Sequence, residues 1–195
     1  MTQDRFEDLA RCAAGAVRSD PATWPSEAAR FAAHYGPELA REVVRCTSLF
    51  FGLPSAIRAL DLAADALAAH GRPDPRPHLA DPAAAGLARF REVYGSDAPA
   101  VLARLDDLDP HLRDWVLRYA YARGYAGPQL TLIERERLAV LALAATGCWK
   151  QCDSHLRACR RHGASAARLR DDAAAGGWLT AVQIALLRSR IPEND

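Results

Sequence analysis

Residues 131–163 read TLIERERLAVLALAATGCWKQCDSHLRACRRHG. Thr131-Leu-Ile-Glu134 has the form of a capping box, in which a threonine hydroxyl and a glutamate carboxylate satisfy each other's orphan amides at a helix start. The spacing predicts a helix over 132–145, broken at Thr146-Gly147. Thr146 is placed to cap a second helix that runs through CWKQCDSHLRACRRH and stops at Gly163. Beyond it, Ser165 is placed to cap a third helix, and Gly176-Gly177 parts that from a last one. Upstream, almost every segment between breakers repeats its apolar residues at three- and four-residue spacing. Alternating Val/Ile/Thr/Tyr runs bounded by Asn-Gly or Asp-Gly turns are missing. The chain reads as all-α.

The composition fits a packed protein. Of 195 residues, 50% are hydrophobic and 25% charged, a balance that excludes general disorder. Basic residues number 25 and acidic residues 24, so no net field recruits nucleic acid or an anionic membrane. No apolar run is long enough for a membrane helix, and MTQDRFEDLA carries charges where a signal peptide has its apolar core. A cytoplasmic location is the expectation. The five cysteines, Cys12, Cys46, Cys148, Cys152 and Cys159, are odd in number and are expected as free thiols, not as a disulfide framework.

RPDPRPHLADP, with Pro73, Pro75, Pro77 and Pro82, stops any helix and favours an extended connection. The expected division is a front part, 1–71, a proline-rich linker, 72–86, and a back part, 87–195. The two parts look related. Laying Gly36 on Gly163 puts Glu7 on Glu134 and Arg30 on Arg157, and after two residues of slippage GLPSAIRAL from Gly52 meets GWLTAVQIAL from Gly177. Two tandem helical repeats are expected. Chemistry is expected in the back copy alone, because the positions matching Cys148, Gln151 and His155 are Pro21, Trp24 and Ala28.

On a helix, Cys148, Cys152, His155, Cys159 and His162 fall in one stripe roughly 80° wide. Cys148 sits in the first turn, where unpaired amides and the helix dipole favour thiolate. An apolar stripe containing cysteines also describes ordinary core, and Cys159 and His162 read that way, with His162 capping the last carbonyls. A metal site is not expected, since a two-residue Cys spacing and a separate ligand pair are both absent. Two glutamates precede the stripe. Glu134 belongs to the capping box. Glu136 can face the neighbouring helix and, if buried there, act as a base, or it can be an ordinary carboxylate paired with Arg135 or Arg137. In PHLRDWVLRYAYARGY, Trp115, Tyr119 and Tyr121 can roof a pocket or simply pack between repeats.

The run ERERLAVLALAATGCWKQCDSHLRACRRHGAS resembles the core helix pair of the carboxymuconolactone decarboxylase and alkylhydroperoxidase D-like (AhpD-like) superfamily. That pattern is an acidic residue, an apolar helix, Cys-x-x-Cys-x-x-x-His and a closing glycine. Glu136 stands twelve residues before Cys148 and His155 seven after it, as the pattern requires. LARFREVYG and REVVRCTSLFFGLPSAIRAL look like its flanking helices. The chain departs from the pattern at the second cysteine, which is Gln151 here, with Cys152 displaced by one.

The resemblance implies an AhpD-like helical hairpin bundle, no cofactor, and a homo-oligomer, most simply a trimer imitating a six-unit ring. It implies three functions. In the first, a thiol-dependent peroxidase or disulfide reductase, Glu136, directly or through His155 and a water, deprotonates a cysteine that attacks an organic hydroperoxide or disulfide. Cys152 attacks and Cys148 resolves the product, or the two exchange roles, and a thiol reductant protein completes the cycle. The second is a decarboxylase or lactone-processing enzyme acting on a carboxylated lactone. There His155 is the general acid/base, Gln151 holds the lactone, Arg157 or Arg118 holds carboxylates, and Trp115 and Tyr119 line the substrate. The third is a non-catalytic assembly or ligand-binding module.

Overall fold

In the computed structural model the described residues are 5–75 and 79–192. They form helices, and no strand occurs among them. The chain makes two compact units, one of Met1–Asp74 with Gln129–Asp195, the other of Pro75–Pro128.

The first unit begins with α1, Arg5–Arg18, and α2, Trp24–Tyr35. Gly36, at φ 90°, ends α2, and Pro37 opens α3, Pro37–Phe51. This order suits the two residues: glycine tolerates the positive φ, and proline's missing N–H costs nothing in a first turn. Leu53–Leu62 forms α4 and Ala64–Ala68 forms α5. Phe6 and Leu9 of α1, Trp24 of α2, and Val43 and Val44 of α3 are sealed in one apolar core with Leu138, Leu141 and Leu187 of the later helices. Trp24 can be buried because its indole N–H donates to the Ala59 carbonyl at 2.7 Å.

The later helices of this unit are separated from the earlier ones by the second unit. In that unit Asp81 caps α6, Pro82–Tyr94, by accepting from the amides of Ala83 and Ala84. There follow α7, Ala98–Leu108, α8, Pro110–Trp115, and a π-helix, Val116–Gly124. Gly86 lets α6 lie directly on the π-helix: a Cβ there would stand 2.0 Å from the Leu117 carbonyl oxygen. Phe90, Tyr94, Tyr121 and Tyr125 stack beside this contact.

Back in the first unit, α9 spans Leu132–Ala145 from the capping box expected at Thr131 and Glu134. It is followed by α10, Trp149–Arg161, α11, Ala166–Asp172, capped by Ser165, and α12, Ala181–Ser189. The start of α10 differs from expectation. Thr146 terminates α9, its hydroxyl donating back to the Ala142 and Leu143 carbonyls at 3.0 and 3.2 Å, and Cys148 is the N-cap residue. A threonine in the last turn of a helix satisfies its hydroxyl locally and is thereby unavailable to cap the next.

Two boundaries also differ. Asp81 and Pro82 start a helix inside the stretch 72–86, of which residues 76–78 lie outside the described residues. The second limit between units falls at Pro128 and Gln129, inside the stretch 87–195. The offset that lays Gly36 on Gly163 also lays α1 on α9 end to end, 14 residues each. Under that offset Glu136 and His155 fall on Leu9 and Ala28, both in the core.

Candidate active site

Three successive residues of α9, Arg135, Glu136 and Arg137, are all buried although charged. Successive residues turn by 100° on a helix, so together they sweep most of its circumference and face different neighbours. Arg135 pairs with Glu42 of α3, which also accepts from the amides of Gln129 and Leu130 at 3.0 and 2.7 Å. Arg137 binds Asp172 of α11 through two N–H donors at 2.5 Å each. Between them, Glu136 Oε2 lies 2.8 Å from His155 Nδ1 of α10.

Glu136 is 0% exposed and His155 6%. An Nδ1–H donating to a Glu136 carboxylate oxygen sets the orientation of the ring. Phe50 of α3 stands edge to face with the imidazole, 6.4 Å between centroids at 82°. Glu136 is thus a buried carboxylate on a histidine. Glu134, as expected, is occupied by its capping box, and Arg5 adds an ion pair at 2.9 Å.

The thiols separate by exposure. Cys148 is exposed at the N-cap of α10. Cys152 is 0% exposed, and its thiol donates to the Val140 carbonyl at 3.7 Å. Burial, helped by the Asp153 carboxylate beside it, pushes the Cys152 thiol up to about 12. Burial raises Cys159 too, with Glu136 nearby as the next cause. A thiol that is sealed and neutral is neither accessible nor nucleophilic, which weighs against Cys152 and toward Cys148 as an attacking group.

Gln151 is exposed one turn before His155. Trp115 and Tyr119 are 69% and 43% exposed and belong to the Pro75–Pro128 unit, whereas Tyr121 is buried in its aromatic cluster. Arg118 is paired with Asp114 at 2.6 Å, and Arg157 donates to Ser154 at 3.2 Å. A cleft of about 230 Å³ opens between α1 and α2, with Arg11, Cys12, Glu27, Arg30 and Phe31 among its walls; none of the expected site residues lines it. Among the described residues no group of His, Cys, Asp and Glu is arranged to hold a metal ion, and no helix is long and apolar enough to cross a membrane.

Sequence reasoning missed Glu42, Phe50 and Asp172. The available signal was the Arg-Glu-Arg run ahead of an uninterrupted apolar helix. A helix apolar on every face is buried all round, so its charges need partners, and those partners come from elsewhere in the chain.

No curated protein matches the chain. The family model for the Carboxymuconolactone decarboxylase family matches residues 110–186, a range that contains Glu136, Cys148, Gln151, Cys152 and His155. Residues 110–186, which carry the Glu136–His155 pair within an all-α architecture, are thus similar to the Carboxymuconolactone decarboxylase family of the AhpD-like superfamily.

Proposed function

We propose that the chain is a proton-transfer enzyme of the decarboxylase or lactone-processing type, with Glu136 and His155 as its acid–base pair and a small carboxylated lactone as its substrate class. The observation that carries this reading is the 2.8 Å contact between Glu136 Oε2 and His155 Nδ1, both side chains being buried. In a decarboxylation, the bond between the ring carbon and the carboxylate carbon breaks. Its electron pair stays on the ring carbon, conjugated with the lactone carbonyl, and carbon dioxide leaves. His155 Nε2–H delivers the proton that the ring carbon takes up, and solvent returns it to the imidazole. Glu136 stabilises the imidazolium at the stage when His155 is charged, and it holds the ring in one tautomer. In this reading Gln151, exposed one turn before His155, donates to a lactone oxygen.

A second reading, a thiol-dependent peroxidase or disulfide reductase, is favoured by the exposed Cys148 at the start of α10. There Cys148 is the attacking thiol, and a small thiol or a thiol reductant protein completes the cycle. Release of carbon dioxide from carboxymuconolactone and reduction of cumene hydroperoxide, measured on the same preparations, separate the two. The first reading expects Glu136→Gln and His155→Gln to lower decarboxylation by about 10²–10⁴-fold and Cys148→Ser to leave it intact. Loss of hydroperoxide turnover in Cys148→Ser, with no carbon dioxide from the parent protein, would establish the second. A homo-oligomer, with a trimer as the simplest form, is part of either reading. Leu53 and Ile57 on α4, and Val182 and Leu186 on α12, are exposed apolar pairs one turn apart that suit contact with another copy. Light scattering tests it, and a subunit mass would exclude it.

A further inference from the structure

Glu42, Cys46 and Phe50 stand at successive turns of α3, four residues apart, and so share one face of that helix. Glu42 is 1% exposed and takes three donors, the amides of Gln129 and Leu130 and the guanidinium of Arg135. Those donors flank the start of α9, whose other fastening is the Thr131–Glu134 box. Cys46 is buried at the middle of the stripe. Phe50, at the far end, meets the His155 ring edge to face. One face of α3 therefore touches the residue before Glu136 and the imidazole itself.

We infer that this α3 face, which lies outside the matched stretch 110–186, completes the site, with Phe50 and Glu42 as positioning residues for the Glu136–His155 pair. Its catalytic consequence rests on the acid–base reading above; the geometry does not. An aromatic edge packed against the imidazole at about a right angle limits its rotation about the Cβ–Cγ bond. Glu42 acts at the backbone. A carboxylate that gathers two amides and a guanidinium fixes the register of the turn from which Glu136 projects. Glu136 is already buried, and a small error in its direction breaks a 2.8 Å contact.

Nitrogen-15 NMR of the full chain tests the inference through the His155 Nδ1 proton, which the Glu136 contact should hold at low field in slow exchange with water. In Phe50→Leu, a variant of similar volume at a half-buried position, exchange of that proton should quicken at least tenfold, with the helical circular dichroism unchanged. Phe50→Tyr should restore the parent rate. Glu42→Gln, which keeps one acceptor oxygen, turns the other into a donor and loses the charge, should give the same loss; if it fails to fold, Glu42→Asp, which keeps the charge but withdraws it by one methylene, replaces it. Parent-like exchange in both Phe50→Leu and the folded Glu42 variant overturns the inference. Quickened exchange with undiminished decarboxylation leaves the positioning intact and removes the acid–base reading. Absence of the protected proton in the parent protein defeats both.

Discussion

Arg137 on α9 grips Asp172 at the end of α11 with its Nε and one Nη, each 2.5 Å from a carboxylate oxygen, while its guanidinium lies 3.6 Å from the centroid of the Phe6 ring on α1. One side chain thus joins three helices. Together with the Arg135–Glu42 and Glu136–His155 contacts, it makes a single turn of α9 the hub of the unit.

The Arg137–Asp172 pair is buried, so removing one partner leaves a charge in the core. Asp172→Ala should destabilise the protein by about 3–5 kcal/mol in urea unfolding. Arg137→Lys should be costly too, because an ammonium can neither bind both oxygens in parallel nor stack on Phe6 as a planar group. The double replacement Arg137→Met with Asp172→Leu should cost less than Asp172→Ala alone. A double variant as unstable as that single one would mean that the pair contributes more than its desolvation removes.

Burial makes the five thiols unequal toward alkylation. At pH 8 in native protein, iodoacetamide should modify Cys148 readily, because it is exposed at a helix start. Cys12, Cys46, Cys152 and Cys159 are buried and should remain unmodified until the chain unfolds. Mass spectrometry should record one adduct per chain in buffer and five in urea. Rapid native labelling at Cys152 would mean that the α9–α10 contact opens, and would return that thiol to consideration as the attacker.

Much of this was legible in the chain itself. The Thr131–Glu134 capping box set α9 to the residue, because side-chain caps are local chemistry written in adjacent positions. The contact between Glu136 and His155 was foreshadowed by the resemblance, whose pattern sets an acidic residue and a histidine at fixed distances in the sequence. Three features were not legible. Thr146 could serve either flanking helix, and only the backbone geometry around Gly147, φ 73°, decides that it ends the first. Glu42 is 93 residues from Arg135, and no local pattern reports such a pairing. The π-helix at Val116–Gly124 runs for 9 residues, too few turns for its wider period to show in the sequence pattern. The helix opened by Asp81 and Pro82 could have been read, because an aspartate followed by proline is a helix-start signal even inside a proline-rich stretch.

Gly176 occupies a place where nothing larger fits. Its φ is 66°, and an added Cβ would lie 2.5 Å from the Ala10 carbonyl carbon and 2.6 Å from the Arg11 nitrogen, both backbone atoms of α1 that cannot swing aside. Gly176→Ala should lower stability by more than 1 kcal/mol, combining left-handed strain with a backbone clash. Gly177→Ala, also at positive φ, 58°, but with open space around the added atom, should cost less. Equal thermal midpoints for the two variants would show that the contact with α1 yields easily.

The same buried thiols should set an alkaline limit on stability. Burial holds the Cys46 thiol up to about 11 and the Cys152 thiol up to about 12, and it raises Cys12 and Cys159 as well. In the unfolded chain each ionises near the ordinary thiol value of about 8.5. Below that value both states carry the proton, and the thiols give stability no pH dependence. Above it the unfolded chain loses protons that the folded chain keeps, so unfolding is favoured by about 1.4 kcal/mol per pH unit for each such thiol. The decline continues until the folded thiols themselves ionise. Urea midpoints under reducing conditions should therefore fall between pH 8.5 and 11, bounds taken from about 8.5 for the free thiol and about 11 for Cys46. Cys152→Ala should fall less steeply across that interval than the parent protein, whatever its stability at neutral pH. Parallel slopes would show that Cys152 ionises in the folded protein as readily as in the unfolded one, and that its contact with Val140 does not keep solvent out.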